Sequence, residues 1–315
     1  MTVTRSPVTL QINLAHSDLE EALHVLPHQL RRWAGQVSEV VCVIDVPLRD
    51  TSAETLARHA RLLAFVASLA PAYPHLRAVE VDYSEARVRE VGAAFYRSGA
   101  VPLRDYRDRA IYPYVFALTT PSHDLILHLD ADMIFGGGSQ TWIGEAVAIL
   151  QERPDLLACN PLPGPPRADG RLLSQKKPPL TDPRGPGYYR FTTLSSRVFL
   201  LDRRHLATRL GGLRRVWAPF KAAVSAMLAG RVPYDGVEGA ISKAMRRRGV
   251  FRLDFLGSGP GMWSVHPLHR TPAYVRSVPE VIRMVEAEDI PEAQRGEYDL
   301  TPAFLAIAAR LPLPV

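Results

Sequence analysis

The stretch "LILHLDADMIFGGG", Leu125 to Gly138, carries the reading of the fold. An oily run ends in two carboxylates one residue apart, and three glycines follow. Desolvating a carboxylate without a counter-charge is costly, so two anions closing a buried strand predict a positive partner. Residues two apart on an extended segment point to the same side, which lets Asp130 and Asp132 converge on one centre. Their hard oxygens suit Mg2+ or Mn2+, ions that keep waters and bridge phosphates. The glycines at 136 to 138 permit close backbone approach or positive φ. Their spacing is not a dinucleotide fingerprint. The competing reading is a strand-end turn, a place that Asp also favours.

The segments before this stretch alternate apolar runs with helical patterns. "VTLQINL" (Val8 to Leu14), "EVVCVIDV" (Glu39 to Val46) and "LRAVEVDY" (Leu76 to Tyr83) read as strands, and the opening quotation as the fourth. Helices are expected from Leu19 to Trp33, over "TLARHARLLAFVASLA", near Val88 to Arg97, and from about Arg107 to Leu118. Ser17 and Glu20 have the spacing of a capping box at the first helix, and Pro27 is expected to kink it. Continuous apolar runs mean that both faces of each strand are covered, so the fold class is α/β with a central, mostly parallel sheet flanked by helices. In such a sheet ligands gather beyond the carboxyl ends of the strands, where Asp130 and Asp132 lie.

After Gly138 come a helix (Trp142 to Glu152), the strand "LLACNPL", and a segment from Asn160 to Gly187 with eight prolines and four glycines. Its length and lack of periodicity predict a functional loop, a lid or acceptor wall with Lys176, Lys177, Tyr188 and Tyr189. "YYRFTTLSSRVFLLD" (Tyr188 to Asp202) returns to strand composition, and helices follow near Arg203 to Leu210 and Val216 to Ala229. "YDGVEGAISKAMRRRG" is a helix stopped by Gly249. The rest, including "MWSVHPLHR" and two helices that begin at prolines, reads as C-terminal decoration.

Composition bounds the function. The 315 residues are 47% hydrophobic and 22% charged, an ordinary globular make-up. Lys and Arg (38) exceed Asp and Glu (32) by six. They are scattered apart from clusters such as Arg246 to Arg248, which argues against a nucleic-acid partner. Cys42 and Cys159 sit in apolar runs and read as core residues of a reducing compartment. No stretch reaches the ~20 apolar residues of a membrane span, and no leader pattern opens the chain, so a cytoplasmic location is expected.

On these residues the chain resembles GT-A glycosyltransferases over Val8 to Arg270: the D-x-D motif of "LILHLDADM", Asp45 ending the second strand, and the layout of strands before the motif. The resemblance implies a GT-A (Rossmann-like) catalytic domain over 1–270, with 1–140 binding the nucleotide-sugar and 141–270 the acceptor, and a helical extension over 271–315. It implies that Asp45 contacts the nucleobase and that Arg109, with Arg104 in reserve, holds the nucleotide. Ala15, Asp130 and Ala131 join the nucleotide site, and Asp130, Asp132 and His266 (or His269) hold Mn2+ or Mg2+. Inverting members place an acidic pair at the start of a late helix. Here Gly239 replaces the second acid, which leaves Glu238 as base and Asp235 in reserve. Asp235-x-x-Glu238 also fits a capping box, which would occupy both carboxylates with helix-end amides. Trp263 suits either a sugar face or the core.

The implied activity is metal-dependent transfer of a sugar from a UDP-, GDP- or dTDP-sugar to an acceptor hydroxyl, inverting if Glu238 is the base. The alternatives are a retaining GT-A enzyme, a haloacid-dehalogenase-like phosphatase with Asp130 as nucleophile, and a non-catalytic sugar-binding protein on the GT-A fold. The phosphatase motif belongs on a first strand, whereas three strand candidates precede this one.

Overall fold

β1 (Ser6–Ala15) is the hub of the sheet: it pairs in parallel with β2 (Val37–Asp45) on one side and with β4 (Leu125–Asp130) on the other. The computed structural model describes residues 6–310 apart from 174, 176 and 177, so Lys176 and Lys177 lie outside the described residues. β3 (Leu76–Glu80) extends the parallel side beyond β2. On the far side of β4 lie in turn β9 (Val198–Asp202), β6 (Leu156–Pro163), β10 (Phe251–Phe255), β8 (Tyr188–Phe191) and β7 (Leu180–Thr181). β9 runs antiparallel to both β4 and β6, so β3, β2, β1, β4, β6 and β10 all point one way. The fold is mixed α/β with a largely parallel sheet.

Alternation along β2 shows why its apolar run is unbroken. Val40, Cys42 and Ile44 enter one core, shared with α1 (Leu19–Trp33), α2 (Ala53–Leu69) and α5 (Trp142–Glu152). Val41 and Val43 enter the opposite core, shared with α3 (Glu85–Phe95), α4 (Tyr112–Ala117) and α8 (Val237–Arg248). Each apolar residue of β2 therefore loses surface to water on whichever face it points, at about 25 cal/mol per Å2. The expected apolar cover on both faces does not extend to every strand: β1 puts Val8, Leu10, Ile12 and Leu14 into the first core and polar Thr9, Gln11 and Asn13 on its other face, and β3 is exposed at Arg77, Ala78 and Glu80. α6 (His205–Thr208) and α7 (Phe220–Leu228) follow β9. A third core joins Val25 of α1 to β5 (Ile134–Gly136), β11 (Trp263–Val265), α9 (Pro272–Glu286) and α10 (Pro302–Ala308). The last two helices begin at the expected prolines, each capped by a threonine, Thr271 and Thr301.

Gly136 and Gly137 earn their place through close approach. A Cβ on Gly136 would lie 2.0 Å from the Trp263 indole, its antiparallel partner, and one on Gly137, at φ 83°, would lie 2.5 Å from the Gly261 carbonyl. Trp263 is accordingly core rather than a sugar platform, at 1% exposure.

Several local expectations differ. Ser17 does not cap α1: His16–Asp18 forms a 3-10 turn, and the Asp18 carboxylate accepts the Ala15 N–H at 2.7 Å. α1 carries Pro27 within its unbroken span. The expected helix from Arg107 shrinks to Tyr112–Ala117, because Asp105 Oδ1 accepts the N–H groups of Arg107 and Arg109 and holds that stretch as a turn. Tyr188 to Asp202 divides into β8 and β9. β10, beside β6, is a strand inside the stretch after Gly249, where no strand was expected.

Candidate functional site

The carboxyl ends of β1, β2 and β4 stand in register: Asn13 opposes Asp130, and Ala15 opposes Asp45. Beyond them opens a cleft of three joined lobes, and Tyr114 of α4 lines all three. The first lobe, about 180 Å3, is bordered by Asp45, Ala15, Asp130, Ala131, Asp18 and Arg270 among others. The Tyr83 hydroxyl donates to Asp45 Oδ1 at 2.7 Å. Burial raises the Asp45 carboxyl, against the pull of the Tyr83 bond and of the Arg104 charge. Asp130 Oδ1 accepts the Tyr114 hydroxyl at 2.8 Å, and His128 Nε2 lies 3.4 Å away.

The positive partner that the sequence demands is Arg270. Its Nη2 and Nε lie 2.8 and 3.0 Å from Asp132 Oδ2. The same guanidinium bonds Asp18 and approaches Glu21 Oε2 at 3.3 Å. Burial pulls this arginine down, but Asp132, Asp18 and Glu21 outweigh it and hold the group firmly charged. Burial lifts the Glu21 carboxyl to about 7, and Asp18 upward as well. The Tyr274 hydroxyl of α9 closes the cluster with a 2.6 Å bond to Glu21.

Asp132 keeps one buried oxygen, Oδ1, without a hydrogen-bond partner. That orphaned acceptor, on a carboxylate two residues from Asp130, is a hard oxygen of the kind that a divalent cation takes. His266 is placed differently. Its ring stacks on Tyr298 at 4.8 Å between centroids, and its Nδ1 lies 2.9 Å from Asp299 Oδ1. His269 is exposed. Among the described residues no group of three or more His, Cys, Asp and Glu is arranged to hold a metal.

Glu238 and Asp235 border the second lobe, about 420 Å3, together with Arg109. The capping box is absent: α8 starts from Gly236 with no side-chain cap. Glu238 Oε2 instead accepts the Ser196 N–H and hydroxyl, each at 3.2 Å. Asp235 Oδ1 accepts the adjacent Gly236 N–H at 2.8 Å. The physical reason lies at Gly239, where a Cβ would sit 2.1 Å from Asp235 Oδ2. The Asp235 carboxylate folds over the glycine, into the space that a second acid on the helix would need. Arg109 is clamped by buried Asp105, with Nε and Nη2 at 2.8 and 2.7 Å from Oδ2, and faces the second and third lobes. Arg104, the reserve, is the arginine whose charge reaches Asp45.

The third lobe, about 590 Å3, runs alongside β6 and β10, with Asn160, Asp254 and Tyr298 in its wall. Arg270, Asp18, Glu21 and Tyr114 escape a reading of the sequence. Only the demand for a counter-charge to Asp130 and Asp132 pointed toward the first of them.

No protein-family model matches the chain, and no curated protein matches it. Solved structures do. The galactosyltransferase LgtC, in complex with donor and acceptor sugar analogs, is 13% identical, with 90% of this chain and 98% of that one covered and a TM-score of 0.39. S. aureus TarS 1-349 in complex with UDP-GlcNAc is 13% identical, covering 91% and 69%, TM-score 0.40. Glucosyl-3-phosphoglycerate synthase from Mycobacterium tuberculosis, in complex with Mn2+, UDP and glucosyl-3-phosphoglycerate, is 13% identical, covering 90% and 81%, TM-score 0.34. Among the described residues no helix is long and apolar enough to cross a membrane.

Proposed function

We propose that this protein transfers a sugar from a UDP-, GDP- or dTDP-sugar to an acceptor hydroxyl, with inversion at the anomeric carbon. The observation that carries this reading is that the acidic lobe bordered by Asp45 and Asp130 shares Ala110 and Tyr114 with the lobe that holds Glu238, a carboxylate that caps no helix amide.

Asp45, held by Tyr83, accepts a hydrogen bond from the nucleobase. Asp130, held by Tyr114, borders both the donor lobe and the third lobe, where donor and acceptor meet. The first lobe sets Asp18, Asp45 and Asp130 against Arg270, so a diphosphate entering it needs further positive charge. Asp130 and Asp132 would hold Mn2+ or Mg2+, which supplies that charge on the leaving group. Glu238, oriented by Ser196, takes the proton from the acceptor hydroxyl, and one displacement opposite the leaving group inverts the centre.

A thermal-shift panel of UDP, GDP and dTDP with and without Mn2+ tests the reading. One nucleotide at a hundred times its Kd raises stability by about 2.7 kcal/mol with the metal present, and Asp132→Asn removes that rise. A panel without any shift refutes the proposal.

A further inference from the structure

α7 shows its larger apolar side chains to water. Phe220, Val224, Met227 and Leu228 fall at the spacing of one helix face, yet Phe220 is 83% exposed and Leu228 85%. The face turned inward carries only Ala223 and Ala226. Trp217 and Val232, both exposed, flank the helix and extend the apolar surface. Single apolar residues on a surface are ordinary, whereas a contiguous stripe marks an interaction site. The stripe is firmly seated. Ala218 and Asp235 donate their N–H groups to the Pro233 and Val216 carbonyls at 2.9 and 2.7 Å, and the Trp217 ring meets Tyr234 edge-on at 6.0 Å.

Its surroundings are basic. From Arg203 to Tyr234 the sequence has no Asp or Glu, while Arg214, Arg215, Lys221 and Arg231 are all exposed. Arg215 lies over the Tyr234 ring at 5.2 Å, which brings its charge beside Trp217. Where the chain enters this segment, the Nη2 atoms of Arg97 and Arg248 crowd the position that a Cβ on Gly211 would take, at 2.5 and 2.8 Å. Desolvation, and then the charges of Arg214, Arg247 and Arg248, pull the Arg97 guanidinium down. The nearest acids along the chain are engaged, Asp202 by Arg204 and Asp235 by the Gly236 N–H. Tyr106 donates its N–H to the Tyr234 carbonyl, and the acids beside it, Asp105 and Asp108, pair with Arg109 and Arg49.

An apolar stripe flanked by arginine and lysine matches a lipid surface, in which rings and aliphatic chains enter the headgroup layer while cations meet anionic headgroups. A second copy on a two-fold axis would set arginine against arginine. A nucleic acid would satisfy the cations and leave Met227, Leu228 and Val232 against phosphates.

We infer that the face made by Trp217, α7 and Val232 docks on an anionic membrane surface, with Arg214, Arg215, Lys221 and Arg231 against the lipid headgroups. Such docking is separate from sugar transfer, and vesicle binding reads it with no nucleotide present.

Flotation of the full chain with vesicles tests it, one set of phosphatidylcholine alone and one with about a third phosphatidylglycerol. Binding to the anionic set is expected to be tighter by about tenfold or more, and to weaken as salt rises from about 0.1 to 0.5 M. Phe220→Ser with Leu228→Ser, both at exposed positions, is expected to lose about tenfold or more with an unchanged thermal midpoint. Arg214→Glu with Arg215→Glu is expected to lose about as much on the anionic vesicles alone. No binding to anionic vesicles, equal binding to both sets, or binding that the serine pair leaves intact overturns the inference. So does a dimer, seen by sedimentation, that the serine pair dissolves while vesicles go unbound, which would assign the face to a second copy. Capture of single-stranded DNA without vesicle binding overturns it in favour of a nucleic acid.

Discussion

Arg270 holds Asp132 by two guanidinium nitrogens, at 2.8 and 3.0 Å from one carboxylate oxygen, and ties it to Asp18 in the wall of the first lobe. One cation therefore serves three carboxylates. Its removal leaves partly buried anions without compensation, at a cost of about 2 kcal/mol once solvent screening is allowed for. Arg270→Gln is expected to lose that much stability in urea denaturation, and Mn2+ is expected to restore part of it. Wild-type stability in the variant would show that the cluster needs no counter-charge.

Glu238 is the group proposed to take the acceptor proton. Glu238→Gln keeps the side-chain shape and one acceptor for Ser196. Nucleotide-induced thermal shifts are expected to stay unchanged while turnover falls by ~100- to 10,000-fold. Undiminished turnover would reduce Glu238 to a contact for Ser196.

Glu21 links stability to pH. Burial raises its carboxyl from 4.5 to about 7, with Arg270 and the Tyr274 hydroxyl pulling the other way. A carboxyl raised on folding favours the folded state fully below pH 4.5, and that advantage disappears as pH climbs through about 7. The chain is expected to lose about 3 kcal/mol between pH 4.5 and 8 from this group. Glu21→Gln should flatten that slope, measured as urea midpoints across the range.

Gly136 faces the Trp263 indole with no room for a methyl group. Gly136→Ala must push apart β5 and β11, the pair that leads from Asp132 toward Arg270. A loss of about 3 kcal/mol is expected, as for a severe overpacking change. Near-neutral stability would mean that the indole can move aside.

The central strands were legible because their signal is local: β2 and β4 are apolar runs whose alternate residues enter two cores, and β1 alternates apolar residues of one core with Thr9, Gln11 and Asn13. The acidic motif was legible for the same reason, as two carboxylates at fixed spacing on one strand, and the glycines after it announced a close approach. Helix boundaries were less so. Asp105 turned an expected helical segment into a loop, and Asp235 lay over Gly239 where a capping box was written.

What the chain's order alone determined was the α/β layering, the place of Asp45, Asp130 and Asp132 at strand ends, and the need for a positive charge beside them. Tertiary structure alone decided which group answers that need, since Arg270 is 138 residues from Asp132. It also decided that Arg109 is held by Asp105, and that Glu238 meets Ser196. Periodicity reports which face of an element is buried. Pairings between charges far apart in the chain exist only once packing brings their elements together and burial makes an unpaired charge costly.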